Sequence, residues 1–421
     1  MVPKGWQSGT LGDLSDTVMG YAFKSTDFVL SGIPLLRMGN LYQNQLDLDR
    51  SPVFLPDSFK TQYSKFLVKE GDLVMSMTGT MGKRDYGFTV QIPDGASDSL
   101  LNQRVIKFIT KKDADPVFLL NLLRSELTLC ALYSFPGGTK QANLSAKQIL
   151  NLPALIPPIA EQTKIAQVLS SWDKAIAITE RLLANSQQQK DMLTNQLLTG
   201  QQRFSEFVTS KDYQHTFHGP IPSDWSYVPI ADIANQQSKA NSTQADLPVL
   251  SCSKYDGLVD SLKYFKKKVY SDDTSKYRVV EFGDFAYPSN HIEEGSIGYQ
   301  DVYPAGIVSP IYTVFRTTDA VDDYFLYRTL KTDKYRQIFS AATSASVDRR
   351  GSLRWKEFSK IQVPLPPLAE QQKIAQVLST ADAEIANLQA QLAKLKLEKK
   401  ALMQQLLTGQ RRVKLDAETA A

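Results

Sequence analysis

Cysteine and histidine are scarce in this chain, with two of the first and three of the second among 421 residues. Cys130 and Cys252 are too few and too far apart for a disulfide framework or a thiolate metal site, which fits a protein of the reducing cytoplasm. His215 and His218 fall in one connecting stretch, leaving His291 alone, so no histidine-rich metal centre is expected. No apolar run reaches the roughly 20 residues of a membrane span, and Met1-Val-Pro-Lys-Gly-Trp6 does not read as a signal peptide. An excess of one charge is also missing. The net charge is +4, and residues 1–156 hold 16 Lys+Arg against 14 Asp+Glu. A protein that held a polyanion by bulk charge alone would be far more basic. Any nucleic acid must therefore be recognised through local patches and base-edge contacts.

Reaction motifs are absent too. There is no His-Glu-x-x-His, no Cys-x-x-Cys and no Gly-x-Ser-x-Gly. Gly79-Thr-Met-Gly82-Lys83 resembles a phosphate loop only faintly, because the glycine such a loop needs five residues before its Gly-Lys pair is Met77. A tight turn between strands is the better reading. No glycine-rich S-adenosylmethionine motif, no Asn/Asp-Pro-Pro-Tyr tetrapeptide and no credible Asp…Glu-x-Lys nuclease cluster occurs. Asp72 and Asp284 each follow a glycine at a strand start and read as turn residues. The inventory is one of binding side chains without a reaction centre.

What the chain does have is a long internal repeat. Residues 157–204 and 366–413 align without a gap at an offset of 209 and agree at 26 positions. Two copies are too few for a solenoid, so the chain reads as one polypeptide imitating a two-fold dimer. The repeat extends upstream more weakly. Trp6 with Leu11-Gly-Asp13-Leu14 matches Trp225 with Ile230-Ala-Asp232-Ile233, and Gly71-Asp72-Leu73-Val74 matches Gly283-Asp284-Phe285-Ala286. Gly79–Gly82 is aligned with Gly295–Gly298, and Asn102–Val105 with Ser309–Tyr312. Leu144 and Leu353 each stand thirteen residues before a Pro-Pro pair. The expected order is globule, helix, globule, helix, with the helices nearly copied and the globules divergent.

Each copied segment opens with prolines, which preset a helix start, and has Glu161 or Glu370 in its first turn. Apolar residues follow at alternating spacings of four and three, the seam of a coiled coil. In the first copy these include Ile165, Leu169, Trp172, Ile176 and Leu183, interrupted by Thr179 and Ser186. In the second they include Ile374, Leu378, Ile385 and Leu392. Both copies carry a lysine at one seam position, Lys190 and Lys399, and end at Gly200 and Gly409 as C-cap glycines would. The first helix delivers the chain to the second globule and the second helix starts there. If the two zip together they must run antiparallel, over a length of about 60 Å.

Candidate binding side chains cluster in loops between apolar strands. In the first globule they are Arg37 and Asn40, the run Ser76, Thr78, Thr80, Lys83 and Arg84, then Asn102, Gln103 and Arg104, then Lys140 and Gln141. In the second they are Lys254, Lys266 and Lys267, then Ser289, Asn290 and His291, then Arg349 and Arg350. Arginine suits guanine edges and phosphates, and asparagine and glutamine suit adenine, so these residue types are those that read DNA. A solvated loop has the same composition. Trp6, Trp225 and Trp355 read as core or anchoring aromatics rather than stacking platforms.

The duplicated Pro-Pro-x-Ala-Glu-Gln-x-Lys-Ile-Ala-Gln-Val-Leu-Ser segments, together with Gly71–Lys83, Asn102–Val105 and Gly306–Arg316, resemble the specificity subunits of type I restriction-modification systems. The resemblance implies a mixed α/β (α+β) fold, with two globular target-recognition domains at 1–156 and 223–365. A long antiparallel two-helix coiled coil from residues 157–200 and 366–409 would separate them, with a linker at 201–222 and a tail at 410–421. It implies a subunit without catalysis of its own, in which each globule reads one half of an asymmetric bipartite site on double-stranded DNA. The helices would set the spacing and dock two methyltransferase subunits, which use S-adenosylmethionine. Restriction subunits using ATP and magnesium would join them, and this chain would carry no cofactor. The competing reading is a coiled-coil scaffold whose globules bind proteins and never touch DNA.

Overall fold

The computed structural model describes residues 2–80, 82–135, 141–217, 219–344 and 351–415. The chain divides into two compact units, residues 1–181 with 389–421 and residues 182–388. Each unit is built on a four-stranded antiparallel sheet.

In the first unit the strands are β1 (Ser15–Met19), β2 (Leu73–Ser76), β3 (Thr89–Gln91) and β4 (Val105–Thr110), in the spatial order β1-β4-β2-β3. Both faces of this sheet are covered, and strand periodicity explains how. Leu73, Met75, Ile106 and Phe108 point to one core, shared with Phe118, Leu119, Leu122 and Leu123. Val74, Val90 and Val105 point to the other, against Leu36, Leu41 and Leu101. Those leucines at 118–123 belong to helix α1 (Pro116–Arg124), which starts sharply because Asp115 accepts the Val117 and Phe118 N–H groups and proline occupies its first turn. Helix α2 (Ile159–Leu198) follows.

The second unit repeats the plan with β5 (Ala234–Gln237), β6 (Phe285–Pro288), β7 (Gly298–Tyr299) and β8 (Tyr312–Thr317), ordered β5-β8-β6-β7. Phe285, Tyr287 and Phe315 face one core, and Ala286 and Val314 the other. Helix α3 (Asp323–Leu330) is capped by Asp322 as α1 is by Asp115, and helix α4 (Leu368–Leu407) closes the unit.

Register makes the equivalence between units concrete, and it corrects one alignment. Leu73 pairs with Gln91 and Phe108, as Phe285 pairs with Tyr299 and Phe315. Gly298, opposite Ala286, therefore occupies the place of Val90, opposite Val74, and not that of Gly82. The first globule inserts a short strand, Thr78–Thr80, paired with Gln141–Asn143, and a turn closed by Lys83 N–H to Thr80 O at 3.0 Å before β3 begins. Sequence matching had slid the glycines across that insertion. Asn102–Val105 and Ser309–Tyr312 do hold equivalent places, at the start of β4 and β8.

Helices α2 and α4 are 40 residues each, about 60 Å at 1.5 Å per residue. Gly200 and Gly409 follow them at φ of +71° and +69°. The seam is buried at its ends and half-buried between. In the first unit Ile165 and Leu169 are fully buried, while Trp172, Ile176 and Leu392 are half-buried. In the second unit Ile374 and Leu378 are buried, while Leu183 and Ile385 are half-buried. Within each unit the two helices run antiparallel. Lys399 meets Asp173 at 2.6 Å and Lys396 meets Glu180 at 2.7 Å in the first unit, and Lys190 meets Asp382 in the second. Both seam lysines therefore have an acidic partner on the other helix, and those two aspartates are themselves related by the 209-residue offset. Thr179 fits the buried seam by donating to the Ala175 carbonyl at 2.8 Å.

The stretch read as a plain linker is partly structured. Tyr213–Thr216 and Gly219–Pro222 form a hairpin. Among the described residues no single helix is long and apolar enough to cross a membrane.

Candidate nucleic-acid interface

One joint in each unit holds the globule to its long helices, and the two joints explain the copied Ala-Glu-Gln motif. Glu161 accepts the Trp6 indole N–H at 2.9 Å and receives Arg412 through two bonds of 2.6 and 2.7 Å. Glu370 accepts the Trp225 indole N–H at 3.1 Å and receives Arg203 through two bonds of 2.8 Å. Each guanidinium also lies 5.6 Å from the centroid of its tryptophan ring. Trp6 and Trp225 are thus anchors, as their sequence context suggested. The glutamines complete the motif. Gln162 accepts the Asp115 N–H and donates to the Pro157 carbonyl, and Gln371 does the same with Asp322 and Pro366. The two arginines went unnoticed in the sequence, although they repeat at the same offset as their glutamates.

At the start of β4 the first globule has a groove of about 410 Å³ walled by Phe28, Arg37, Met38, Arg50, Gln103 and Arg104. Asn40 organises it from beneath. It is 2% exposed, accepts the Arg37 N–H at 2.9 Å and donates to the carbonyls of Asp47 and Arg50 at 2.8 and 3.1 Å. That network fixes the loop which brings Arg37 and Arg50 together, and Arg50 packs 4.8 Å from the Tyr42 ring. Residues 102–104 are held by their backbone. Asn102 donates to Leu36 O, Gln103 to Tyr21 O, and Arg104 N–H reaches the Asn102 side chain at 3.2 Å. The side chains of Gln103 and Arg104 remain exposed, and that guanidinium has no partner among the described residues.

The second globule has a groove at the equivalent corner, about 590 Å³, at the start of β8. Its walls include Gln236, Arg278, Asn290, His291, Tyr312 and Arg354. Arg278 donates to Pro310 O at 3.3 Å, and Ser289 is a buried joint whose hydroxyl donates to Ile311 O at 2.8 Å. The His291 Nδ1 lies 3.9 Å from Glu293 and from Glu294. Their ligand atoms form the one grouping with metal-binding potential among the described residues. The two carboxylates make this corner less welcoming to phosphates than the arginine side.

The structure sorts the candidates. Arg37, Gln103 and Arg104 converge on the first groove, and Asn290 and His291 on the second. Asn40, Ser76, Thr78 and Ser289 are buried with their polar atoms used inside the fold: the Ser76 hydroxyl oxygen accepts the Phe88 N–H at 3.1 Å, and the Thr78 hydroxyl donates to Met38 Sδ at 2.9 Å. Their polar atoms are satisfied inside the fold, as buried polar atoms must be, and of the four only Asn40 and Ser289 line a groove. Half-buried Asn102 does the same through its backbone-fixing amide oxygen. Arg84 turns to Glu126 at 2.9 Å and over the Tyr133 ring, and Lys400 at 3.1 Å joins it in holding that carboxyl below the usual range. Thr80 and Lys83 are exposed on the inserted turn, and Lys254, Lys266 and Lys267 are exposed outside the second groove. Lys140, Arg349 and Arg350 lie outside the described residues, and of Gln141 only the backbone is described, opposite Thr80. Sequence reading missed Arg50, Gln236, Arg278 and Arg354. Only Arg354 left a signal, since it follows Leu353, the counterpart of Leu144.

Known proteins resemble this chain in sequence and in fold. The family profile described as type I restriction modification DNA specificity domain matches residues 3–185 and again 222–397. The putative type I restriction enzyme MjaX specificity subunit of Methanocaldococcus jannaschii is 22% identical over 436 residues, which cover 98% of this chain and 95% of that protein. The type I restriction enzyme EcoBI specificity subunit of Escherichia coli is 23% identical over 398 residues, covering 88% and 77%. The crystal structure of the type I restriction-modification S subunit from M. genitalium has a similar fold, with a TM-score of 0.58 at 15% identity over 96% of each chain. With that profile matched twice, once across each sheet and its adjoining long helix, the chain belongs to the family of type I restriction-modification specificity subunits.

Proposed function

We propose that this chain selects the DNA sequence for a type I restriction-modification complex, each globule reading one half of an asymmetric bipartite site through its groove. One observation carries the reading: equivalent corners of two equivalent sheets carry grooves lined by different side chains. A scaffold duplicated for strength would have no reason to keep its helices nearly identical while its two grooves take different side chains. Arg37, Arg50 and Arg104 supply forked donors suited to guanine edges or phosphates in the first half-site. Arg278, Arg354, Gln236 and Asn290 supply a mixed set in the second. Four exposed lysines among the candidates, Lys83, Lys254, Lys266 and Lys267, suit phosphate contact, which fixes position without reading sequence.

The helices set the distance between half-sites and dock two methyltransferase subunits. Those subunits bring the S-adenosylmethionine, and restriction subunits bring the ATP and magnesium chemistry, while this chain contributes recognition alone. The test is a footprint on random-sequence DNA with the methyltransferase subunits present. Two short protected blocks split by an unread gap are expected. Protection without sequence preference would favour the protein-binding scaffold instead. Transfer of labelled methyl groups by the isolated chain would contradict its role as a pure reader.

A further inference from the structure

We propose that Leu30 is a wedge that inserts between stacked base pairs beside the first groove and kinks the duplex at that half-site. The proposal rests on the DNA-reading function above and adds a mode of binding to it. Phe28, Val29 and Leu30 are 40%, 41% and 99% exposed. A single exposed apolar side chain is ordinary, but three in a row at a turn mark a contact surface. The turn is rigidly seated. The Val29 N–H donates to Phe54 O at 3.0 Å, and Ile33 pairs with Leu55. Between them Gly32 sits at φ +148°, where a Cβ would lie 2.2 Å from the Leu55 carbonyl oxygen, so only glycine lets the chain turn so close. Leu30 is therefore presented at the tip of a fixed support.

Charge identifies the occupant. Phe28 lines the groove that also holds Arg37, Arg50 and Arg104, so the apolar tip borders a cationic wall. Apolar side chains inserted between base steps beside basic ones are a known way in which proteins kink DNA. An apolar protein surface would have no use for three arginines. In the second globule the equivalent place lies just before Val249, which pairs parallel with Ile307 as Leu35 does with Leu100, and no exposed large apolar residue falls between 218 and 249 there among the described residues. The kink is thus confined to the half-site of the first globule, and a pyrimidine–purine step, the easiest to unstack, is expected there.

The test uses the full chain assembled with its methyltransferase subunits, on a duplex carrying the sequence that the complex methylates. 2-Aminopurine is placed at successive positions other than the adenine to be methylated, which a methyltransferase flips by itself, and end-to-end energy transfer reports bending. A fluorescence rise at one step of the first half-site is expected, together with a bend. Leu30→Ser should remove both and weaken binding about tenfold, while Leu30→Met should keep them. The footprint of the second half-site serves as the control for folding and for the DNA-reading function itself. If that footprint stays intact while wild type shows no unstacked step, or Leu30→Ser keeps it, the wedge is wrong and the reading function stands.

Discussion

Arg203 and Glu370 lie 167 residues apart in sequence and meet through two parallel hydrogen bonds of 2.8 Å, with the glutamate side chain fully buried. The arginine lies five residues beyond the end of one long helix, at Leu198, and the glutamate lies in the first turn of the other. Arg412 and Glu161 repeat the pair in the first unit at 2.6 and 2.7 Å. A carboxylate taken out of water needs both oxygens satisfied, and the indole N–H plus the forked guanidinium does this in each case. The two joints differ in exposure: the Arg203 side chain is 7% exposed and that of Arg412 42%.

That difference sets an order of effects. Arg203→Ala leaves Glu370 buried without its cation and should cost about 3–5 kcal/mol. Arg412→Ala opens Glu161 to water and should cost about 1–3 kcal/mol. Arg203→Lys should recover only part of the loss, since a single ammonium cannot reproduce the fork. Denaturant melts followed by limited proteolysis of each unit check this. Equal losses at the two sites would show that burial does not govern the joint.

Acid should loosen the second joint. Burial works to raise the Asp224 carboxyl, but hydrogen bonds from Thr209 and the neighbouring Arg203 outweigh it and hold the group at about 2, against an ordinary 3.8. A depressed carboxyl contributes stability that is present above pH 3.8 and lost as the pH falls toward 2. Asp224→Asn should therefore be less stable than wild type at pH 6, with the gap closing between pH 4 and 2. Thermal melts across that range provide the measurement, and a gap that widens on acidification would contradict the assignment.

The seam lysines offer a comparison inside one molecule. Lys190 meets Asp382, which also accepts the Tyr324 hydroxyl and lies 3.9 Å from Arg328. Lys399 meets Asp173, a carboxylate 45% exposed. A double-mutant cycle with alanine at both members should give a coupling of about 1–2 kcal/mol for the first pair and below about 1 kcal/mol for the second. Coupling of equal size would mean that the extra partners of Asp382 add nothing.

The helices were legible in the sequence because their signals are local and repeated: proline starts, glycine ends, and a four-three spacing that put Ile165, Leu169, Ile374 and Leu378 inside. The globules were legible as a plan, through Gly71-Asp72 and Gly283-Asp284 before β2 and β6. What could not be read was which polar loop residues face outward. Asn40 and Ser289 have the side chains of base readers but satisfy their own backbones, and only the folded loop decides between those uses. Arg278 and Gln236 sit within strands, where no loop signal marks them, and Arg203 had no local reason to seek Glu370. The Gly82–Gly298 misalignment came from an insertion that strand register exposes and residue matching does not.

Arg104 gives the most direct test of readout. Its guanidinium is exposed at the groove edge with no partner among the described residues, while its backbone is pinned through Asn102 and Met77. If it forks onto a guanine, Arg104→Ala should lose about 1–3 kcal/mol of discrimination at one base pair of the first half-site. A phosphate contact would instead weaken binding evenly across sequences and flatten the salt dependence. Competition binding against a library varied over that half-site separates the two. Unchanged affinity and preference would remove Arg104 from the interface.

Spacing is the property most tied to the long helices. The two copies align without a gap over 48 residues and pair antiparallel within each unit, so a change in one helix alone must break register at Lys190–Asp382 or Asp173–Lys399. Removing one heptad from each, at matched positions between those pairs and the helix centres, keeps the register and shortens each helix by about 10 Å. At about 3.4 Å per base pair along one strand, that corresponds to roughly three base pairs, and it turns one reading surface around the duplex by about a third of a helical turn. Most single-helix deletions should unfold or aggregate. The matched deletion should fold but lose methylation of the original site, and any activity it retains should appear at half-sites about three base pairs closer. Sequencing methylated adenines in cells that carry each variant reports site and spacer together. A matched deletion that still directs methylation to the original spacing would show that the helices do not measure the distance.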